Sequence, residues 1–136
     1  MKKIIFSCLL LTILLLVSGC SYKKDNIIIY NTKNIIKITI KTQSRNDSTL
    51  KYTENENKII EIVNYINGLE LKKTRKNPNE YTGMTYTIIF DFDDATSIEY
   101  DHFGNMFFRE AGKGWKEMLY SQAEEFESIY KSLDNK

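Results

Sequence analysis

The chain of 136 residues is long enough for one hydrophobic core, and its net charge of +1 implies neither a nucleic acid nor a strongly charged substrate as partner. It contains two cysteines, Cys8 and Cys20, and one histidine, His102. With Cys8 placed in a removed leader, Cys20 is the sole thiol, which excludes an internal disulfide, cysteine catalysis and a zinc-thiolate site.

Lys2 and Lys3 form a basic start. The apolar run from Ile4 to Val17, 14 residues long, fits a signal peptide and falls short of the roughly 17–25 residues of a membrane span. Val17-Ser18-Gly19-Cys20 then resembles the lipobox of bacterial lipoproteins, in which small residues precede a cysteine that becomes the acylated N-terminus. The resemblance implies cleavage between Gly19 and Cys20 and a diacylglyceryl thioether on Cys20. Two acyl chains anchor a protein stably, at about 0.8 kcal/mol per buried CH₂, so the expected place is the outer face of the cytoplasmic membrane. Ser21 to Asp25 reads as a solvated linker, with Lys23 and Lys24 near anionic headgroups. Charge is unevenly spread: residues 20–79 hold 12 basic and 6 acidic side chains, residues 80–136 hold 5 and 12. Halves of opposite sign either interleave in one fold, where their faces attract, or leave a bipolar surface that orients a partner.

Asn26 to Asn31 is an apolar patch too short for its period to be read, either an edge strand or a docking segment. Ile36, Ile38 and Ile40 alternate with Lys37, Thr39 and Lys41, the pattern of a half-buried antiparallel strand. A polar connection, Gln43 to Ser48, leads to Thr49–Thr53 as the second arm of a hairpin. Thr53 and Glu56 have the spacing of a capping box, and Ile59, Ile62, Val63 and Ile66 follow at helical spacing. Asn67-Gly68 closes that helix, with Gly68 suited to a left-handed position past the last turn. Leu69 and Leu71 open a third strand that runs into the basic stretch Lys72, Lys73, Arg75 and Lys76, the mark of a solvated edge. Asn77 to Gly83 is a loop with Pro78, the only proline.

Met84, Tyr86, Ile88, Phe90 and Phe92 share one face of the strongest strand. Ile98 and Tyr100 return with the same parity, which requires an odd loop, and a three-residue loop sets Asp91 opposite Ser97 and not Glu99. Gly104-Asn105 fits a two-residue hairpin turn that pairs Phe103 with Met106 and Asp101 with Phe108. Trp115 starts the last element, a helix of about five turns whose stripe is Leu119, Ala123, Phe126, Tyr130 and Leu133. The expected fold is α+β, a curved antiparallel sheet of five or six strands with two helices packed on one face. The expected organisation is a leader over residues 1–19, a lipidated cysteine and tether over 20–34, and a single domain over 35–136.

No set of residues makes a convincing reaction centre. Asp91, Asp93 and Asp94 fail the EF-hand pattern, with Thr96 where glycine is needed and His102 at the twelfth position. Asp101 and His102 are neighbours on a strand and point to opposite faces, which spoils a catalytic pair. Gly112-Lys113-Gly114 lacks P-loop spacing, and Glu124, Glu125 and Glu127 read as the solvated side of a helix. No metal or cofactor is expected. The apolar residues Phe103, Met106, Phe108 and Trp115 are the candidate partner surface, either covered by other elements or open to a partner.

The lipobox, the T-x-x-E helix start with Ile59, Ile62 and Val63, Tyr81-Thr82-Gly83, the long alternating strand and the terminal amphipathic helix together resemble a group of small uncharacterised lipoproteins of Gram-positive bacteria. The resemblance spans Ile35 to Leu133 and brings no activity or binding residues to carry over. The expected function is a membrane-anchored, non-catalytic binding or interaction module without nucleic acid, its protein partner or small ligand unnamed. An inhibitor or immunity-type lipoprotein that blocks a protein partner is the alternative, and a hydrolytic enzyme comes third.

Overall fold

The computed structural model describes residues 32–44 and 48–133 of the chain. The leader, Cys20, the linker and the Asn26 to Asn31 patch lie outside the described residues. Among those described, seven strands form one open, curved antiparallel sheet: β1 (Ile35–Gln43), β2 (Ser48–Thr53), β3 (Lys72–Lys73), β4 (Thr85–Phe92), β5 (Ser97–Phe103), β6 (Phe107–Glu110) and β7 (Lys116–Glu117). Their order across the sheet is β2-β1-β4-β5-β6-β7-β3. Two helices complete the α+β fold, α1 (Glu56–Gly68) and α2 (Tyr120–Lys131). Sequence reasoning expects five or six strands; the difference lies at one edge, where β3 and β7 pair over only two residues each.

The inner face of the sheet and both helices share one core. Ile38, Ile40, Ile88, Phe90, Tyr100 and Phe108 face Ile59, Ile62, Val63 and Ile66 of α1 and Ala123, Phe126 and Ile129 of α2. Side chains of this size, fully buried, stabilise by about 1.5–3 kcal/mol each, so packing holds α1 despite its β-branched composition. Thr49 and Tyr130 tie β2 to α2 through a hydroxyl contact of 2.7 Å.

The β4–β5 loop follows the parity argument: Asp91 pairs with Ser97, and Ala95 takes the left-handed position with φ 65° that closes a three-residue connection. In β1 the alternation is interrupted by a bulge between Ile35 and Lys37. It turns Ile36 out to 55% exposure and gives its expected core place to Ile35. Helix α1 is capped by Asn55, not Thr53: the Asn55 Oδ1 accepts from the Asn57 and Lys58 amides at 3.0 and 3.3 Å. Thr53 stays in β2, opposite Ile38, and its Oγ1 accepts from the Asn55 amide. Gly68 does not adopt positive φ and is the last helical residue, so its expected left-handed role is absent. Leu69 and Leu71 are buried, but the strand starts only at Lys72.

The β5–β6 turn has three residues, 104–106, so Phe103 pairs with Phe107, His102 with Phe108 and Asp101 with Arg109. Phe108 therefore faces the core, fully buried beside Tyr100, and is not part of an outer surface. At the end of the chain, Trp115 precedes a strand instead of starting a helix. The Met118 amide donates to the Met106 carbonyl at 2.8 Å, which keeps Lys116–Glu117 beside β6 and delays α2 to Tyr120.

Candidate functional site: a cleft at one end of the sheet

On the outer face, under β5–β7, a second apolar cluster forms. Phe107 is fully buried there, with the Tyr81 ring edge-on at 5.3 Å, Phe103 at 6.3 Å and Trp115 at 6.3 Å. Arg109 lies over the Trp115 ring at 4.2 Å and donates its Nε to the Asp101 carboxylate at 2.7 Å, while Thr87 Oγ1 donates to the other oxygen at 3.3 Å. The loop carrying Tyr81 is held against the β5–β6 turn by close backbone approach. The Gly104 amide donates to the Met84 carbonyl at 2.9 Å, and a Cβ on Gly83 would sit only 3.0 Å from the Gly104 Cα. Gly104 itself has φ +54°, in the left-handed region that favours glycine.

Between these walls opens a cleft of about 460 Å³, lined by residues 81–84, 103–107, Tyr86 and Glu127. Its floor and sides are aromatic and thioether: Tyr81, Tyr86, Phe103, Phe107, Met84 and Met106. Met84 is 41% exposed and Tyr81 is 38% exposed, so both present apolar surface to solvent. Glu127, from α2, is the one carboxylate of the lining, and no lysine or arginine lines it. Burial pushes the Tyr86 hydroxyl above its ordinary range, and the nearby Glu127 carboxylate and Tyr130 push it further. Lys131 Nζ meets Glu127 Oε1 at 2.8 Å. A second, smaller cleft of about 280 Å³ adjoins the first, sharing Met84, Tyr86 and Glu127 and extending to Thr42, Tyr130 and Lys131.

The residues singled out from sequence divide. Phe103 and Met106 line the cleft, and Trp115 stands 6.4 Å from Phe103 behind it. Phe108 is turned away into the core. Cys20 lies outside the described residues. His102 is 1% exposed on the inner face, stacked on Phe126 at 4.5 Å and flanked edge-on by Tyr86 and Phe108. Neither ring nitrogen has a hydrogen-bond partner, and burial pushes its pKa down to about 4. Asp101 points to the opposite face and serves Arg109, so the two neighbours do not form a pair.

Elsewhere, a groove of about 410 Å³ runs between α1 and α2, with Glu61 and Glu125 on its rims and the Tyr65 hydroxyl buried without a partner. Burial, then Glu125, raise the pKa of that hydroxyl. Glu61 is engaged by Lys58 at 2.8 Å. Among the described residues no group of three or more His, Cys, Asp or Glu is placed to hold a metal. No helix among them is long and apolar enough to cross a membrane.

Met84, Tyr86, Phe107 and Glu127 are lining residues that sequence reasoning did not single out. Two signals were available: the loop with Tyr81-Thr82-Gly83, and the opposite charges of Asp101 and Arg109, which sit across from each other only in the three-residue register and so bring Phe107, not Phe108, outward. No protein family, curated protein or solved structure matches the chain.

Proposed function

We propose that this chain is a lipid-anchored, non-catalytic binding module at the outer face of the cytoplasmic membrane, of the kind found among small Gram-positive lipoproteins. It takes a small ligand in the cleft at the end of the sheet. The cleft carries the binding half of the reading: it is concave, mostly apolar, has few polar groups, and its volume lies within the range of roughly 300–1,000 Å³ typical of ligand sites. The lipobox ending in Cys20 carries the anchor. The inhibitor alternative calls for an exposed apolar edge of Phe103, Met106 and Phe108; Phe108 is in the core, while Phe103 and Met106 line the cleft.

A fragment screen read by amide chemical shifts in the isotopically labelled chain tests the cleft. Hits should perturb residues 81–86 and 103–107, and the exposed substitution Met84→Asp should abolish them. Perturbations that cluster elsewhere would overturn the cleft as the binding site. For the anchor, incorporation of a fatty-acid analogue should disappear in Cys20→Ala, and persistent labelling would remove the lipoprotein reading.

A further inference from the structure

We infer that the cleft at the end of the sheet selects an organic ammonium ion, held over the faces of Tyr81, Tyr86 and Phe103 and neutralised by the Glu127 carboxylate. The inference rests on the reading of this cleft as the ligand site and names the class of ligand. Apart from Lys131, which the Glu127 carboxylate already holds, the lining offers phosphate and carboxylate ligands no lysine or arginine to pair with. Aromatic ring faces carry negative potential and attract cations, most strongly where water is partly excluded. The soft thioethers of Met84 and Met106 accommodate methyl or methylene groups around the charge.

The rest of the surface supports the same chemistry. Among the described residues three cationic side chains already lie over rings: Lys37 on Tyr52, Lys51 on Tyr130 and Arg109 on Trp115. These contacts occupy Tyr130 and Trp115 at the margins of the cleft, and none lies over Tyr81, Tyr86 or Phe103. Glu127 is held by Lys131 at the rim, and Lys131 is 72% exposed on its flexible stem. An incoming ammonium ion therefore competes with an internal one. Removing Lys131 should strengthen binding, whereas removing the Glu127 charge should weaken it.

The test uses choline and its uncharged isostere 3,3-dimethylbutan-1-ol, titrated against the full chain and read by amide shifts at residues 81–86 and 103–107. Choline should bind about 10-fold more tightly than the alcohol, as expected for a cation over rings beside a carboxylate. Glu127→Gln should lower choline affinity about 5-fold and Lys131→Met should raise it about 2-fold, both leaving the alcohol unchanged. Both positions are exposed on α2, and an unchanged amide spectrum away from the cleft verifies the fold. A parallel titration with phosphatidylcholine vesicles distinguishes a lipid headgroup from a free ammonium compound as the source; binding in either arm supports the inference. Equal affinity for choline and the alcohol, or no response to Glu127→Gln, would overturn the ammonium assignment. If fragments bind the cleft and neither choline arm does, the ammonium assignment alone falls; if fragments do not bind there, the site itself falls.

Discussion

At the scale of single residues, His102 is the most informative. Its imidazole is enclosed by Tyr86, Phe108 and Phe126, with both nitrogens unpartnered, so the charged form is strongly disfavoured. Folding lowers its pKa from 6.5 to about 4. Above pH 6.5 the ring is neutral in folded and unfolded chains alike, and it adds no pH dependence. Below that value only the unfolded chain takes up the proton, so stability is lost on acidification down to about pH 4 and then levels off. The loss attributable to His102 between about pH 7 and pH 5 is about 2 kcal/mol. His102→Phe keeps a flat ring and removes both orphan nitrogens; urea unfolding at the two pH values should show the variant losing about 2 kcal/mol less than wild type. Identical losses would show that the ring is protonated in the folded state. The isolation of His102 from Asp101 follows from strand alternation alone. The depth of the ring does not, because it depends on Phe126, 24 positions away in the chain.

At the scale of elements, the end of α1 shows what replaces a missing cap. Gly68 does not turn the chain back on itself, and its carbonyl accepts from the Gln122 side chain of α2 at 2.9 Å. The same side chain accepts from the Glu70 amide at 2.9 Å, so one glutamine joins two helices and finishes one of them. Gln122→Ala should cost about 1 kcal/mol and should speed hydrogen exchange at Glu70 specifically. Unaltered exchange at Glu70 would show that the amide is protected by something else. Periodicity revealed β1, β2, β4, β5 and α1, because each buries one face and keeps the other wet. It missed the start of α2, since Trp115 to Met118 is drawn to β6 by backbone pairing that no side-chain pattern encodes. It also misread the start of β1, where two adjacent isoleucines leave the inward one undecided until the bulge selects Ile35.

Across the whole molecule, the two halves of opposite charge meet as the composition suggested. Lys72 and Lys76 of the basic half converge on Glu117, at 3.8 and 2.7 Å. Their effect on Glu117 is to hold its carboxyl below the usual range, chiefly through the Lys76 hydrogen bond. Lys51 reaches the other way, donating to the carbonyls of Tyr130 and Leu133 at 3.2 and 2.8 Å, at the negative end of α2. Lys51→Met should cost about 1 kcal/mol at low salt, and that cost should shrink as salt is raised toward about 1 M. A cost independent of salt, measured by urea unfolding, would assign the effect to packing of the lysine stem on Tyr130 and not to charge.

The polarity of β1 has a consequence for where the cleft meets its surroundings. The described chain begins at Thr32, and β1 runs from Ile35, beside Phe92, to Gln43, beside Thr85 and the Met84 that lines the cleft. Nine residues of extended strand cover about 27 Å at roughly 3.4 Å per residue. With the lipid proposed on Cys20, the N-terminal end of that strand is the one nearest the bilayer along the chain. The twelve steps from Cys20 to Thr32 reach at most about 40 Å. The mouth of the cleft therefore opens at the Gln43 end of β1, a strand's length from Ile35, where the chain leads back toward Cys20.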